Sequence, residues 1–235
     1  MLVFKDFWTF IKNSNSVEQI DINTFPDFIK LAWKSICILL VFDFVLGIFI
    51  VTPLKFYNIY PSIKEIEFTR LRILSIALFL PLLEELIFRL PLRISINNIL
   101  ISLGVFFYFF IRLCFMSNRV IAISCSFIIV LGMQQLFKKK SEIFSTILRT
   151  IKNRFWVFFY VQALLFGFLH LTNYNLDFKY IYLFPLVALS YIIPGIFWGY
   201  LRVRYSSGIY LCIVSHIAVN SLYCLVIFHW TNNLI

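Results

Sequence analysis

Charge is scarce in this chain. Asp, Glu, Lys and Arg make up 14% of its 235 residues, against about 25% in ordinary soluble domains. Histidine is rarer still, with three residues. With 61% apolar residues and a mean hydropathy of +0.90, an ordinary cytosolic enzyme is excluded. A soluble core of this size could not hide so much apolar surface, and a disordered chain would hold far less of it. The five cysteines, Cys37, Cys114, Cys125, Cys212 and Cys224, sit inside apolar runs. An odd number without the close pairing of a metal knuckle argues against a disulfide scaffold and reads as small apolar filler. No repeat, low-complexity linker or room for a soluble domain is visible. The stretch from Met1 to Asn15, interrupted by Asp6, does not read as a cleavable signal peptide.

What is abundant is apolar length. A membrane-crossing helix needs about 20 mainly apolar residues, and seven stretches qualify: 35–52, 71–88, 96–116, 120–137, 155–171, 180–200 and 209–228. The expected fold is all-α, a polytopic transmembrane helical bundle of seven to eight spans with a polar cavity inside it. Residues 1–34 read as a cytoplasmic or interfacial lead-in and 35–235 as the membrane domain. Pro185 and Pro194–Gly195 predict a kink in the sixth stretch, or its division into two shorter helices.

The net charge of +10 points to lipid rather than nucleic acid, because Lys and Arg are retained in cytoplasmic loops and attract anionic headgroups. With seven spans, one face collects 14 of the 21 Lys and Arg and the other six, with Arg112 inside a span. That places the N-terminus and the 138–154 loop in the cytoplasm and the chain in the cell membrane. Lys138-Lys139-Lys140 reads as a topology anchor, and Trp156, Trp198, Trp230 and the span-end His229 as interfacial residues.

Against this background a few polar groups stand out. A charged residue at a helix centre costs about 2.5–3.5 kcal/mol, yet Glu84 and Glu85 close an apolar run. Arg89 follows Glu85 by four residues, so the two share a helix face and can pair. Glu84, rotated by about 100°, is left to point elsewhere. His170 follows Phe166 by four, and His216 precedes Asn220 by four. Three helices thus bring polar faces that should converge away from lipid. Asp43 reads as a helix contact or a partner for Arg112, and Pro81 as a kink one turn before Glu84.

In series, Glu-Glu-x-x-x-Arg, Phe-x-x-x-His and His-x-x-x-Asn resemble the motifs of the CAAX protease and bacteriocin-processing family, which includes type II CAAX prenyl endopeptidases and Abi proteins. The resemblance runs from about residue 75 to 225. It implies an intramembrane endopeptidase acting on a membrane-associated or amphipathic peptide or protein. It further implies Glu84 as catalytic carboxylate, His170 as its partner in activating water, and His216 and Asn220 as groups polarising the scissile carbonyl. Glu85, Arg89 and Phe166 would support them.

Hydrolysis of a peptide bond needs a base, a proton for the leaving amine and donors for an oxyanion. A carboxylate, a neutral imidazole and an amide can supply these without a covalent nucleophile. Two His and a Glu can also hold zinc with an open position, in which case Glu84, His170 and His216 would be the ligands. The metal-free reading is preferred, since there is no His-Glu-x-x-His helix and Asn is a poor zinc ligand. A serine or aspartyl protease fits worse: Ser206-Ser207-Gly208 lacks the Gly-x-Ser-x-Gly arrangement, and neither Asp43 nor Asp177 has a Gly-x-Gly-Asp context. Two other classes stand beside the enzyme. One is a non-catalytic immunity or scaffold protein that binds a peptide in the same cavity. The other is a transporter relaying protons through Glu84 and Glu85, disfavoured by the lack of an inverted repeat.

Overall fold

The computed structural model describes residues 2–12, 18–56, 70–115, 118–174 and 178–232. Among these the chain is almost wholly helical, and the one β-bridge joins Ile20 to Tyr205. The helices in order are α1 (Leu2–Lys12), α2 (Phe25–Phe56), α3 (residues 70–88), α4 (Ile96–Phe115), α5 (Arg119–Lys139), α6 (Ser141–Asn153), α7 (Phe155–His170), α8 (Phe184–Arg204) and α9 (Gly208–Asn232).

The outer surface is apolar. Phe25, Phe49, Val120, Phe127, Ile128 and Val157 are among many large exposed side chains, a distribution tolerable only where the solvent is lipid. Five helices are long and apolar enough to cross a membrane among the described residues: Phe25–Phe56, Arg119–Lys139, Phe155–Asn173, Ile181–Arg204 and Gly208–Val226. Ile96–Arg112 is apolar but shorter, and α3 carries Arg70, Arg72, Glu84 and Glu85. The protein is therefore a multi-pass helical membrane bundle; five helices among the described residues meet the length and apolarity of a span, and the seven to eight expected are not all found there.

Local sequence explains the helix ends. Thr24 caps α2, its hydroxyl accepting from the Asp27 amide, and Pro26 occupies the first turn, where its missing N–H costs nothing. The apolar stretch that opens at Ser35 is thus the later part of a helix begun at Phe25. Asn118 caps α5 through the Val120 amide at 2.9 Å. In α3 a π turn at Ser75–Phe79 precedes Pro81, and the Leu80 amide reaches back to the Ser75 carbonyl. The wider turn admits the proline ring without ending the helix. A second π turn interrupts α2 at Gly47–Val51.

Helix α8 lies at the centre, packed against α2, α7 and α9. It runs unbroken through Pro194, so the predicted division of this stretch does not occur. Close packing on both sides holds the backbone where one hydrogen bond is lost. Two glycines let α7 and α8 approach: a Cβ on Gly167 would lie 2.3 Å from Ile192 Cγ1, and one on Gly199 would lie 2.8 Å from the Phe159 ring.

The N-terminal segment is part of this core. Val3, Phe7 and Phe10 of α1 are buried against Phe197, Tyr200 and Phe159. Asp6 fixes the helix in place, accepting two 2.9 Å bonds from Arg204 and one of 2.7 Å from Tyr200. A bidentate guanidinium–carboxylate pair of this kind sets orientation as well as distance. Arg93, in the turn after α3, donates to the Tyr205 and Ser206 carbonyls between α8 and α9. By contrast α6, between α5 and α7, buries no residue and leaves Ile143 and Ile147 exposed.

Candidate active site

Glu84 and Glu85 sit in the last turns of α3, and their neighbouring positions send them to different partners. Glu85 is fully buried and 3.7 Å from the Nε of Arg89, itself 1% exposed. Its other oxygen accepts from His216 Nδ1 at 2.8 Å. Arg89 lies with its guanidinium 4.0 Å above the Phe166 ring and donates to the Gly195 carbonyl at 3.4 Å. A buried charge survives only when paired or hydrogen-bonded, and here ion pair, ring face and carbonyl share that load.

Glu84 is a fifth exposed, and its Oε2 lies 3.8 Å from His170 Nε2 and 3.7 Å from His216 Nε2. These separations exceed a direct hydrogen bond. The oxygen is buried and accepts no hydrogen bond among the described residues. Both imidazoles are oriented from behind. His170 Nδ1 donates to the Phe166 carbonyl at 2.8 Å, which leaves Nε2 of the neutral ring as an acceptor facing Glu84. His216 is oriented through Glu85.

The rings are also clamped by aromatic faces. Trp198 stacks on His216 with centroids 4.1 Å apart and an interplanar angle of 25°, and its indole N–H donates to Ser215 at 3.0 Å. Tyr191 stacks on His170 at 4.4 Å and 23°, and its hydroxyl bonds that of Tyr174 at 2.7 Å. Trp198 was expected at the membrane interface. It is instead 5% exposed, because the central helix α8 turns this ring between α7 and α9. Tyr191 was not singled out from sequence. Its position seven residues before Trp198 on the same helix is the signal that could have found it, since residues seven apart share a helix face. The side chains of His229 and Trp230 lie outside the described residues.

His170, His216 and Asn220 line a cavity of about 370 Å³, together with Phe166, Tyr191 and Trp198. Glu84 is not among the lining residues; it lies 3.8 Å from His170 and 3.7 Å from His216, which are. Asn220 donates to the Ile76 carbonyl at 3.3 Å, inside the π turn of α3. Asp43 of α2 also reaches this cavity, where Tyr223 of α9 lies beside it, the helix contact that was one of the two expected readings.

The fit to zinc can be tested on distance. Tetrahedral zinc with bonds of about 2.0–2.1 Å holds its ligand atoms about 3.3 Å apart. The carboxylate oxygen lies farther than that from both ring nitrogens. Among the described residues no group of three His, Cys, Asp or Glu is spaced to hold a metal ion.

Fold and site together define an integral, multi-pass helical membrane protein with a carboxylate–imidazole centre between its helices. Residues 67–222 match the family model described as type II CAAX prenyl endopeptidase Rce1-like. The chain belongs to that family, which is one of membrane proteases. No curated protein and no solved structure matches it.

Proposed function

We propose that the protein is a metal-free intramembrane endopeptidase that hydrolyses a peptide bond in a membrane-associated or amphipathic peptide or protein. The observation carrying this reading is the position of Glu84 Oε2, buried and facing the Nε2 atoms of both histidines. Glu84 and His170 Nε2 are both acceptors, so a water between them would give one hydrogen bond to each and turn a lone pair toward the substrate carbonyl. As the oxygen attacks, one of the two takes its proton and delivers it to the departing amine.

The oxyanion donors on this reading are Asn220 and His216. Asn220 would exchange its Ile76 carbonyl for the oxyanion. His216 donates from Nε2 only when Nδ1 also carries a proton, and the Glu85 carboxylate at 2.8 Å is the counter-ion for that form. On this reading Glu85 accepts the Nδ1 proton, and the Nε2 proton that donates to the oxyanion is the second one on the ring. Glu85 and Arg89 thus act through His216, and Trp198 and Tyr191 hold the two rings in register.

The chain is further proposed to lie in the cell membrane, with α1 and the 138–154 loop on the cytoplasmic side, where their Lys and Arg face anionic lipid. The test of function is cleavage of membrane-inserted peptides by purified protein in liposomes, with Glu84→Gln as the inactive control. Peptide binding or toxin protection that persists in that variant, with no cleavage by the wild type, would instead establish the immunity or scaffold reading.

A further inference from the structure

The cavity wall holds one charged group to which hydrolysis assigns no task. Asp43, on α2, lines the same space as His170, His216 and Asn220, and Tyr223 of α9 is its hydroxyl-bearing neighbour on that wall. One phenol satisfies only part of a carboxylate's acceptor capacity. A neutral Asn or Ser could hold α2 to α9 at far lower cost in a bundle.

Among the described residues the basic group acting on it is His216, already paired with Glu85. Among the described lining residues there is no Lys or Arg. His216 faces Asp43 electrostatically but has its Nδ1 committed to Glu85, while its Nε2 and that of His170 face Glu84. The other polar groups on the wall are Ser190, Asn220 and the tyrosine hydroxyls, and Tyr174, Tyr191, Tyr223 and Trp198 add aromatic rings. A carboxylate among aromatic rings is the chemistry that receives a cation. It also repels an anionic group such as a C-terminal carboxylate.

We propose that Asp43, beside Tyr223, is the specificity-determining anion of this cavity and selects peptides that carry a cationic group near the bond to be cut. The group would be a Lys or Arg side chain or a free amine. This inference rests on the endopeptidase reading for its substrate, but its test does not depend on turnover.

The probe is a set of fluorescent amphipathic peptides in phosphatidylcholine liposomes. They are identical except for Lys, norleucine or Glu at one position, which is moved along the sequence. Binding is measured on the Glu84→Gln protein and cleavage on protein with Glu84 intact. At the sensitive position the Lys peptide should bind about 10-fold or more tightly than the norleucine peptide, as a charge-assisted hydrogen bond provides. Asp43→Asn should bring that ratio close to one, Asp43→Glu should keep it, and Asp43→Lys should turn the preference toward Glu. Retention of the preference in Asp43→Glu shows that the fold accepts substitution at this position. A preference that survives Asp43→Asn, or that is absent with Asp43 intact, overturns the proposal. Cleavage without charge preference removes this inference alone, and charge-selective binding without cleavage removes the hydrolytic reading alone.

Discussion

Glu85 and His216 are 131 residues apart and meet at 2.8 Å, carboxylate oxygen to Nδ1. That contact joins the end of α3 to the first half of α9 and turns the other nitrogen of the ring toward Glu84. The first of the two adjacent glutamates is thereby left with a free oxygen, while the second is spent on orientation. Their division of labour governs the predictions that follow.

Glu84→Gln should lower cleavage in liposomes by at least about 10²-fold, the smallest contribution expected of a positioned general base. The amide keeps the shape and removes the basic oxygen. Turnover equal to that of the unaltered protein would falsify the assignment of Glu84 as base.

Asn220→Ala should reduce kcat by about 10²–10³ with little change in KM, since the oxyanion exists only in the transition state. The measurement is a full kinetic comparison on one peptide. An effect confined to KM would make Asn220 a binding residue instead.

Arg89→Met strands the Glu85 carboxylate, which is fully buried. A stability loss of about 3–5 kcal/mol is expected, as for other buried pairs broken from one side. Replacing both partners, Glu85→Gln with Arg89→Met, should recover much of it. Denaturant unfolding in detergent micelles reads both values, and equal losses in the single and double variants would show that the pair is not the cause.

Gly167 lies where α7 and α8 touch, with Ile192 Cγ1 at 2.3 Å and the Ala188 carbonyl at 2.9 Å from a built Cβ. Gly167→Ala should cost about 1–3 kcal/mol through overpacking. It should also depress activity, because His170 is on the next turn of the same helix. Ile192→Ala added to it should restore only part, since the backbone carbonyl remains. Melting temperatures of the unaltered protein and the two variants check the order.

Strong chelators should leave cleavage unchanged, and added zinc should not raise it. Loss with chelator and recovery with zinc would make His170 and His216 ligands and remove the metal-free mechanism.

Much of the site's composition is readable along the chain. A carboxylate or imidazole inside an apolar run has to be compensated, so Glu84, Glu85, His170 and His216 declare themselves by cost alone. The four-residue spacing of Glu85 and Arg89 is likewise a statement about one helix face, and it is realised as a buried ion pair. Trp198 and Tyr191 were not legible in this way, because an aromatic residue in an apolar helix costs nothing in lipid, in protein or at the interface. Asp43 was visible as costly, but its partner on α9 was not. The docking of α1 was hidden too, since Asp6 meets Arg204 across 198 positions of sequence.

By itself, then, the sequence determined the solvent this protein lives in, its all-helical class and the short roster of side chains that lipid could not accept. Those follow from transfer free energies and helical period, which are properties of local stretches. The tertiary structure alone decided how each helix is rotated about its axis, and so that Glu84 faces two histidines while Glu85 faces one histidine and an arginine. Rotation is set by close packing at Gly167, Gly199 and the aromatic clamps, contacts between residues distant in the chain. No local pattern encodes them.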